Sequence, residues 1–450
     1  MTAQPTLTAL AEETLAAAKT AGAEAADILV VRGTALSIDV RAGKLEEATR
    51  EEELDLSLRV LLGPRQALVS ISERTPEAIA EMAERAVAMA REAPEDASLG
   101  LAAPDQLAGD TDPAALDLLD PADEPDPAAL QAAATDCEAA ALAVAGVRQT
   151  QGAGASFSKR ELVLAATNGF LAEATRTGSS LYCAAISGTG TGMERDFDSD
   201  SRVYRADMRP ASDIGRRAGE RAVERQGARK PPTGSYPVLY DERISSALIG
   251  HLLMAINGTA IARGASWARG LEGELVLPEA LSLTEDPHRP RAMGSRLFDS
   301  EGLPTATRHW VEDGRLTGFV LDLGTGRKLG RQSTANASRG LSGGPQPSTS
   351  NIALTQGAAS RADLLRDMGT GLLITSMIGQ TINPNTGDYS RGASGFWVEN
   401  GELAYPVNEC TVAGNLRDML RGLTPANDAR PWLSTVVPSL LVEGLTLAGA

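Results

Sequence analysis

Residues able to chelate a metal or attack a carbonyl are scarce in this chain. Only His251, His288 and His309 occur among 450 residues, and no two sit at helical or hairpin ligand spacing. His251 follows Leu248 and Ile244 at helical intervals, the placing of a core or interface imidazole. His288 falls in loop text, and His309 precedes a strand. Cys137, Cys183 and Cys410 show no CxxC pattern. The last two lie in strand-like text, so reduced, buried thiols are expected. No GxSxG elbow occurs, and Ser156-Phe157-Ser158-Lys159 fits SxxK only in strand-and-turn text, away from the helix that such chemistry uses. Gly188 to Gly192 and Gly324 to Gly330 have the composition of phosphate loops. Neither continues to GK[ST] or joins a clean strand to a helix, so both are read as turns.

The segment Asn383 to Trp397 is chemically richer. Its run of turn formers predicts an exposed loop presenting Asn383, Gly387, Asp388, Arg391 and Gly392 with many backbone N–H groups. Asp388 and Arg391 could pair with each other as a structural clasp, or could grip an extended peptide or a partner surface.

Bulk properties narrow the field. A net charge of −17 repels nucleic-acid phosphates and anionic membranes, so neither partner is expected. Arg216, Arg217 and Arg225 share a helical stretch with Glu220 and Glu224, which reads as a solvated face. No segment approaches the roughly 18 apolar residues of a membrane span, and nothing resembles a signal peptide, so a cytoplasmic protein is expected. With 4% aromatic residues, the cores must be built mainly from aliphatic side chains.

The elements that must position these residues read as α+β. Residues 1–92 form an N-terminal unit: a helix over Thr6–Thr20, strands near Ile28–Val40, Glu53–Val60 and Ala67–Ser72, and a helix from Thr75 to about Arg91. Residues 93–127 are an acidic, Pro-rich linker. Residues 128–230 repeat the helix–sheet–helix order, with strands over 147–157, 162–167 and 170–186, an Asn168-Gly169 hairpin, and a helix near 211–225. This points to a duplicated architecture. Residues 233–450 open with strand Tyr236–Tyr240 and a helix over Arg243–Ala262, then read as a mostly antiparallel β domain. Within it, Trp310-Val311-Glu312-Asp313-Gly314-Arg315-Leu316 echoes Trp397-Val398-Glu399-Asn400-Gly401-Glu402-Leu403, each centred on a type I′ hairpin signal.

Across that last region the motifs Phe298-Asp299-Ser300-Glu301-Gly302, Arg327-Lys328-Leu329-Gly330, Ser333-Thr334-Ala335-Asn336, Pro347-Ser348-Thr349-Ser350-Asn351, Asn383–Trp397 and Val412-Ala413-Gly414-Asn415-Leu416 occur in order. Together they resemble the TldD/PmbA family, long labelled modulators of DNA gyrase, and its PmbA (TldE) branch above all. The resemblance implies a two-subunit zinc peptidase. In that family TldD is the zinc peptidase, using a His-Glu-x-x-x-His helix and a distant cysteine, and TldE is its non-catalytic partner. Here the corresponding window is Gly250-His251-Leu252-Leu253-Met254-Ala255. Gly250 and Ala255 replace both chelating histidines, and His251 replaces the general base.

The resemblance therefore implies no zinc in this chain, a TldD-like peptidase as partner that holds the zinc, and extended peptides as substrates, antitoxin and microcin precursors among them. A homodimer is possible in isolation. Two rival readings are a homodimeric hydrolase with its own site near Asp388 and Arg391, and a scaffold without a role in proteolysis.

Overall fold

The computed structural model describes residues 5–449. Thr6 sets the first helix, α1 (Leu7–Thr20), by accepting the Ala9 N–H through its hydroxyl at 3.1 Å. Strands β1 (Ala25–Arg41), β2 (Lys44–Leu62) and β3 (Arg65–Ile71) follow, then α2 (Pro76–Glu92), capped by Thr75 with Pro76 in its first turn. The order recurs as α3 (Pro127–Leu142), β4 (Val147–Ala166), β5 (Leu171–Ser187), β6 (Glu194–Arg202) and α4 (Ala211–Glu224). The two αβββα units share one antiparallel sheet of order β3-β2-β1-β4-β5-β6, joined at its centre where Val31 stands opposite Leu162.

Two strand expectations are corrected here. The text over 147–157 and 162–167 is a single strand, because Ser158 pairs with both Ala35 and Gly178 and carries the ladder through the polar stretch. Strand β6 was not anticipated. Its alternate positions Asp196, Asp198 and Asp200 are buried and charged, so apolar alternation gives no signal. Arg243, Arg221 and Arg202 neutralise them at 3.0, 2.7 and 3.0 Å.

All four helices cover one face of the sheet. Ile28, Val30, Leu56 and Leu58 pack with Leu10 of α1 and Ile79 and Met82 of α2. Leu36, Ile38, Phe157 and Cys183 pack with Leu130 and Cys137 of α3 and Ile214 of α4. Helices α3 and α4 approach closely because position 215 is glycine; a Cβ there would lie 1.8 Å from the Cys137 carbonyl oxygen.

The opposite face of the sheet meets the linker and the C-terminal half. The linker forms two short 3₁₀ turns, Pro104–Gln106 and Pro113–Leu116, and buries Leu116 and Leu118. Arg327 fixes its early part by donating to the carbonyls of Ser98, Gly100 and Leu101 at 3.0, 3.1 and 2.9 Å. Asp27 on β1 is buried between Arg59, at 2.5 Å, and Arg339 from the C-terminal half. Those two cations hold its carboxyl below the usual range against the opposing effect of burial.

The C-terminal half contains a closed five-stranded ring of β7 (Gly234–Tyr240), β8 (Gly371–Ile382), β9 (Asp388–Glu399), β10 (Glu402–Asn415) and β11 (Leu440–Ala448). The ring order is β10-β9-β8-β7-β11, and Val412 of β10 opposite Leu447 of β11 closes it. Within it only β7 and β8 run parallel, as the mostly antiparallel expectation requires. A second sheet of five short strands includes Leu283–Glu285 and Arg308–Glu312, so His309 lies within a strand rather than before one. Both echoed hairpins are type I′: Asp313 and Gly314 have φ of 47° and 74°, and Asn400 and Gly401 of 55° and 78°. The Gly324–Gly330 text is not a simple turn. Residues Leu323–Lys328 form a short helix, because the Asp322 carboxylate accepts the Thr325 N–H at 2.6 Å.

Candidate functional site

The helix expected over Arg243–Ala262 is two helices, α5 (Ser246–Ala255) and α6 (Gly258–Ala262). Its start is delayed because the Asp241 carbonyl accepts the Ile244 and Ser245 N–H groups, each at 2.9 Å, in a preceding turn. It breaks at Asn257, whose side chain accepts the Thr259 N–H at 2.9 Å and donates to the Pro347 carbonyl at 2.9 Å. Gly258 then approaches Val320, and a Cβ there would stand 2.7 Å from the Leu321 side chain.

On α5, Leu248, Ile249 and Leu252 join the core that holds Tyr240 of β7, Ile374 of β8 and Trp397 of β9. His251 is 5% exposed and meets Tyr389 edge-on, with ring centroids 5.9 Å apart. Burial first, and the nearby Arg391 cation second, lower its pKa to about 4, so the imidazole is neutral at pH 7. No described residue bonds its Nε2. Gly250 faces open space, while Ala255 is buried. This window does not fit zinc: one imidazole remains, a guanidinium rather than a carboxylate lies beside it, and neither flanking position can donate an electron pair. The described residues contain no group of three or more His, Cys, Asp or Glu side chains placed to hold a metal ion. Cys410 on β10 gives its thiol to the Ala393 carbonyl at 3.2 Å, and burial pushes its pKa up to about 11.

The Asn383–Trp397 segment is not a long loop. Only Asn383–Gly387 turns, and Asp388–Glu399 is β9, with Tyr389, Ala393 and Trp397 buried. Its glycines and serines are strand residues where the barrel packs tightly: a Cβ on Gly395 would lie 1.9 Å from the Leu373 carbonyl oxygen, and one on Gly392 would lie 2.7 Å from the Ile378 side chain. Gly387, at φ +82°, closes the turn by donating to the Asn383 carbonyl at 2.9 Å.

Asp388 and Arg391 do not pair. The Asp388 carboxylate accepts from the Thr386 hydroxyl at 2.6 Å and from the Asn415 side chain at 3.1 Å, and these bonds lower its pKa. Arg391 lies on the other face of β9, where its Nε donates to the Gly379 carbonyl at 2.9 Å. That carbonyl is presented by a bulge: Gly379, with φ +68°, and Gln380 intervene between the pairs Ile378–Gly392 and Thr381–Ser390.

Arg391 thus reaches the same place as α5. Arg243, Gly250, Leu253, Met377, Arg391 and Thr435 line an open cleft of about 370 Å³. Arg243 is already paired with Asp196 and Asp241, at 3.0 and 3.2 Å. Beside the cleft, Met254 is one turn from Gly250 on the exposed side of α5, and Ile378 precedes the bulge; they are 64% and 77% exposed. Gly250, His251 and Arg391 therefore belong to one site, with Gly392 at its margin. Asn383, Gly387 and Asp388 belong to a turn tied to Asn415. Tyr389, against the His251 ring, and Met377, 3.3 Å from the Tyr389 hydroxyl, also belong to this site. Only the alternation of Tyr389 with Arg391 hinted at them, and the long-loop reading concealed it.

Three family models cover nearly the whole chain: PmbA/TldA metallopeptidase domain 1 over residues 26–90, its central domain over 120–226 and its C-terminal domain over 233–449. The chain belongs to the PmbA/TldD metallopeptidase family. It is 34% identical to the metalloprotease PmbA of Escherichia coli O157:H7, over 97% of this chain and 94% of that protein. A PmbA homologue of Haemophilus influenzae is also 34% identical, over 95% and 93%. Among solved structures, a candidate modulator of DNA gyrase from Bacteroides thetaiotaomicron superposes with a TM-score of 0.91 at 26% identity, over 98% of each chain. TldE of Thermococcus kodakarensis shares the fold, with a TM-score of 0.85 at 20% identity over 98% of this chain and 100% of that one. Within this PmbA/TldD frame, several motifs are architectural. Buried Glu285 accepts from Trp310 Nε1 at 2.8 Å, Asn336 Nδ2 at 3.0 Å and the Ser350 N–H at 2.5 Å, binding the Ser333–Asn336 and Pro347–Asn351 segments together.

Proposed function

We propose that this chain is the non-catalytic subunit of a two-subunit peptidase. It would pair with a chain carrying an intact His-Glu-x-x-x-His helix and its zinc, and help enclose a chamber that admits extended peptides. The observation that carries this reading is the α5 window Gly250–Ala255, whose one imidazole, His251, is buried and neutral and whose end residues, Gly250 and Ala255, offer no ligand atom. The Arg391 cleft supports a contact role, since a guanidinium held by one carbonyl retains donors for a peptide carbonyl or carboxylate. Exposed Met254 and Ile378 offer apolar anchors beside it. The unpaired, buried Cys137, Cys183 and Cys410 are in keeping with the reducing cytoplasm. A direct action on DNA is disfavoured by the charge of −17.

The decisive experiment mixes the purified chain with a TldD-like peptidase from the same genome and follows cleavage of an unfolded peptide. Neither protein alone should match the mixture, and a stable complex should elute in size-exclusion chromatography. Full cleavage by this chain alone after chelation would exclude the proposal and favour a self-contained hydrolase. A complete failure to associate would favour a scaffold.

A further inference from the structure

A cavity of about 340 Å³ lies between the helix-free face of the N-terminal sheet and the C-terminal half. Its apolar wall is Leu29, Val31, Leu162 and Leu164 from β1 and β4, with Leu116 and Leu118 of the linker. Arg160, Arg176 and Arg296 also line it. Arg160 and Arg176 stand directly opposite each other in the β4–β5 register, a like-charge pair that costs stability in a sheet.

None of these three cations has a carboxylate partner among the described residues. Arg176 donates to the carbonyls of Met293 and Ser295 at 3.0 and 3.4 Å, and Arg296 to those of Ala337 and Ser348 at 3.1 and 2.8 Å. Arg160, which is exposed, has no hydrogen bond or ion pair. Glu53 reaches over Gly33, the residue opposite Arg160 on β1, yet forms no ion pair with it. Asp299 lines the cavity too, but its carboxylate is taken up by the N–H groups of Glu301, Leu303 and Ala337 at 2.9, 3.0 and 3.0 Å. Burial and the two neighbouring arginines disfavour the charged form of Arg176. Arg296 lies in the field of Glu285 and Asp299, so it is Arg160 and Arg176 that, in a chain with 59 acidic residues, are left without an anion.

We infer that the cavity is a binding site for an apolar-bodied carboxylate, with its acid group between Arg160 and Arg176 and its hydrocarbon portion against Leu29, Leu162 and Leu164. Guanidinium groups suit a carboxylate through paired N–H donors, and the volume is that of a small-molecule site. A fatty acid and the free C-terminus of a short apolar peptide share this chemistry. The inference does not rest on the subunit pairing proposed above, because the test uses this chain alone and no peptidase.

The test is calorimetric titration and thermal melting of the full chain with five probes: hexanoate, hexanamide, N-acetyl-Leu-Leu with a free carboxyl group, its C-terminal amide, and inorganic phosphate. At least one carboxylate should bind saturably, about tenfold or more tighter than its amide, and raise the melting temperature. A preference for hexanoate or for the peptide acid supports the site and identifies the source. Arg160→Gln should weaken binding about tenfold or more, and Arg160→Glu should abolish it, while the ligand-free melt is unchanged or raised because a like-charge pair is relieved. Equal binding of acid and amide would overturn the proposal. So would equal binding of phosphate and hexanoate, saturation by none of the probes, or wild-type affinity in both variants.

Discussion

His251 on α5 and Tyr389 on β9 meet edge to face, with ring centroids 5.9 Å apart and an interplanar angle of 69°. This contact joins α5 to the strand that carries Arg391. It also keeps the imidazole in an aromatic, desolvated setting where protonation is unfavourable.

That setting gives His251 a signature in pH. Its pKa falls from an unfolded value of 6.5 to about 4, so between those values the unfolded chain binds more protons than the native one. The contribution to stability is fully present above 6.5 and is lost as pH falls through about 4. Urea midpoints measured at pH 4.5 and 7 should differ less in His251→Phe than in the parent. Equal differences in both proteins would show that the imidazole is solvated.

Leu248 is 1% exposed on α5, within the core shared with the barrel. Leu248→Ala should therefore cost about 2–5 kcal/mol. Denaturant unfolding would read this as a lowered midpoint with the slope retained. An unchanged midpoint would mean that α5 does not pack as described.

Asp388 and Arg391, only three positions apart, should respond differently to truncation. Arg391→Ala should lower peptide cleavage by the reconstituted pair about tenfold or more, the scale of one charge-assisted hydrogen bond, with little change in the melt. Asp388→Ala removes the Thr386 and Asn415 bonds, so it should lower the melting temperature slightly and leave cleavage near the parent value. Assaying both variants on one preparation, for melting and cleavage together, separates these effects. Loss of cleavage in Asp388→Ala alone would reverse the assignment.

Elemental analysis of the purified chain should find far less than one zinc per molecule, because Gly250 and Ala255 supply no ligand to accompany His251. Stoichiometric zinc in the unaltered protein, lost in His251→Ala, would contradict this.

The sequence was most legible where local chemistry decides structure. Thr6 and Thr75 mark helix starts, and Asp313-Gly314 and Asn400-Gly401 mark type I′ turns, because cap and turn requirements are satisfied within a few residues. It was misleading where tertiary contacts override composition. Gly392 and Gly395 read as loop formers, yet they are small because Ile378 and Leu373 lie against them. Asp196, Asp198 and Asp200 hid β6 because arginines distant in sequence neutralise them. The pairing of β1 with β4, which merges two αβββα units into one sheet, leaves no mark in either strand alone. At the candidate site, the placing of His251 on the apolar side of α5 could be read directly, whereas the convergence of Arg391 on α5 depended on the Gly379 bulge.

The ring of β7 to β11 also has a history in time. Strand β7 ends at Tyr240, and its two neighbours, β8 and β11, begin at Gly371 and Leu440. During synthesis β7 emerges with both edges bare. At about 5–20 residues per second, roughly 10–40 s pass before β11 exists to close the ring. The N-terminal sheet, whose strands are all made by Arg202, can assemble on the ribosome during that interval. Nascent chains between Tyr240 and Leu440 are thus the stage at which open strand edges invite misassociation, and at which a chaperone has most to protect.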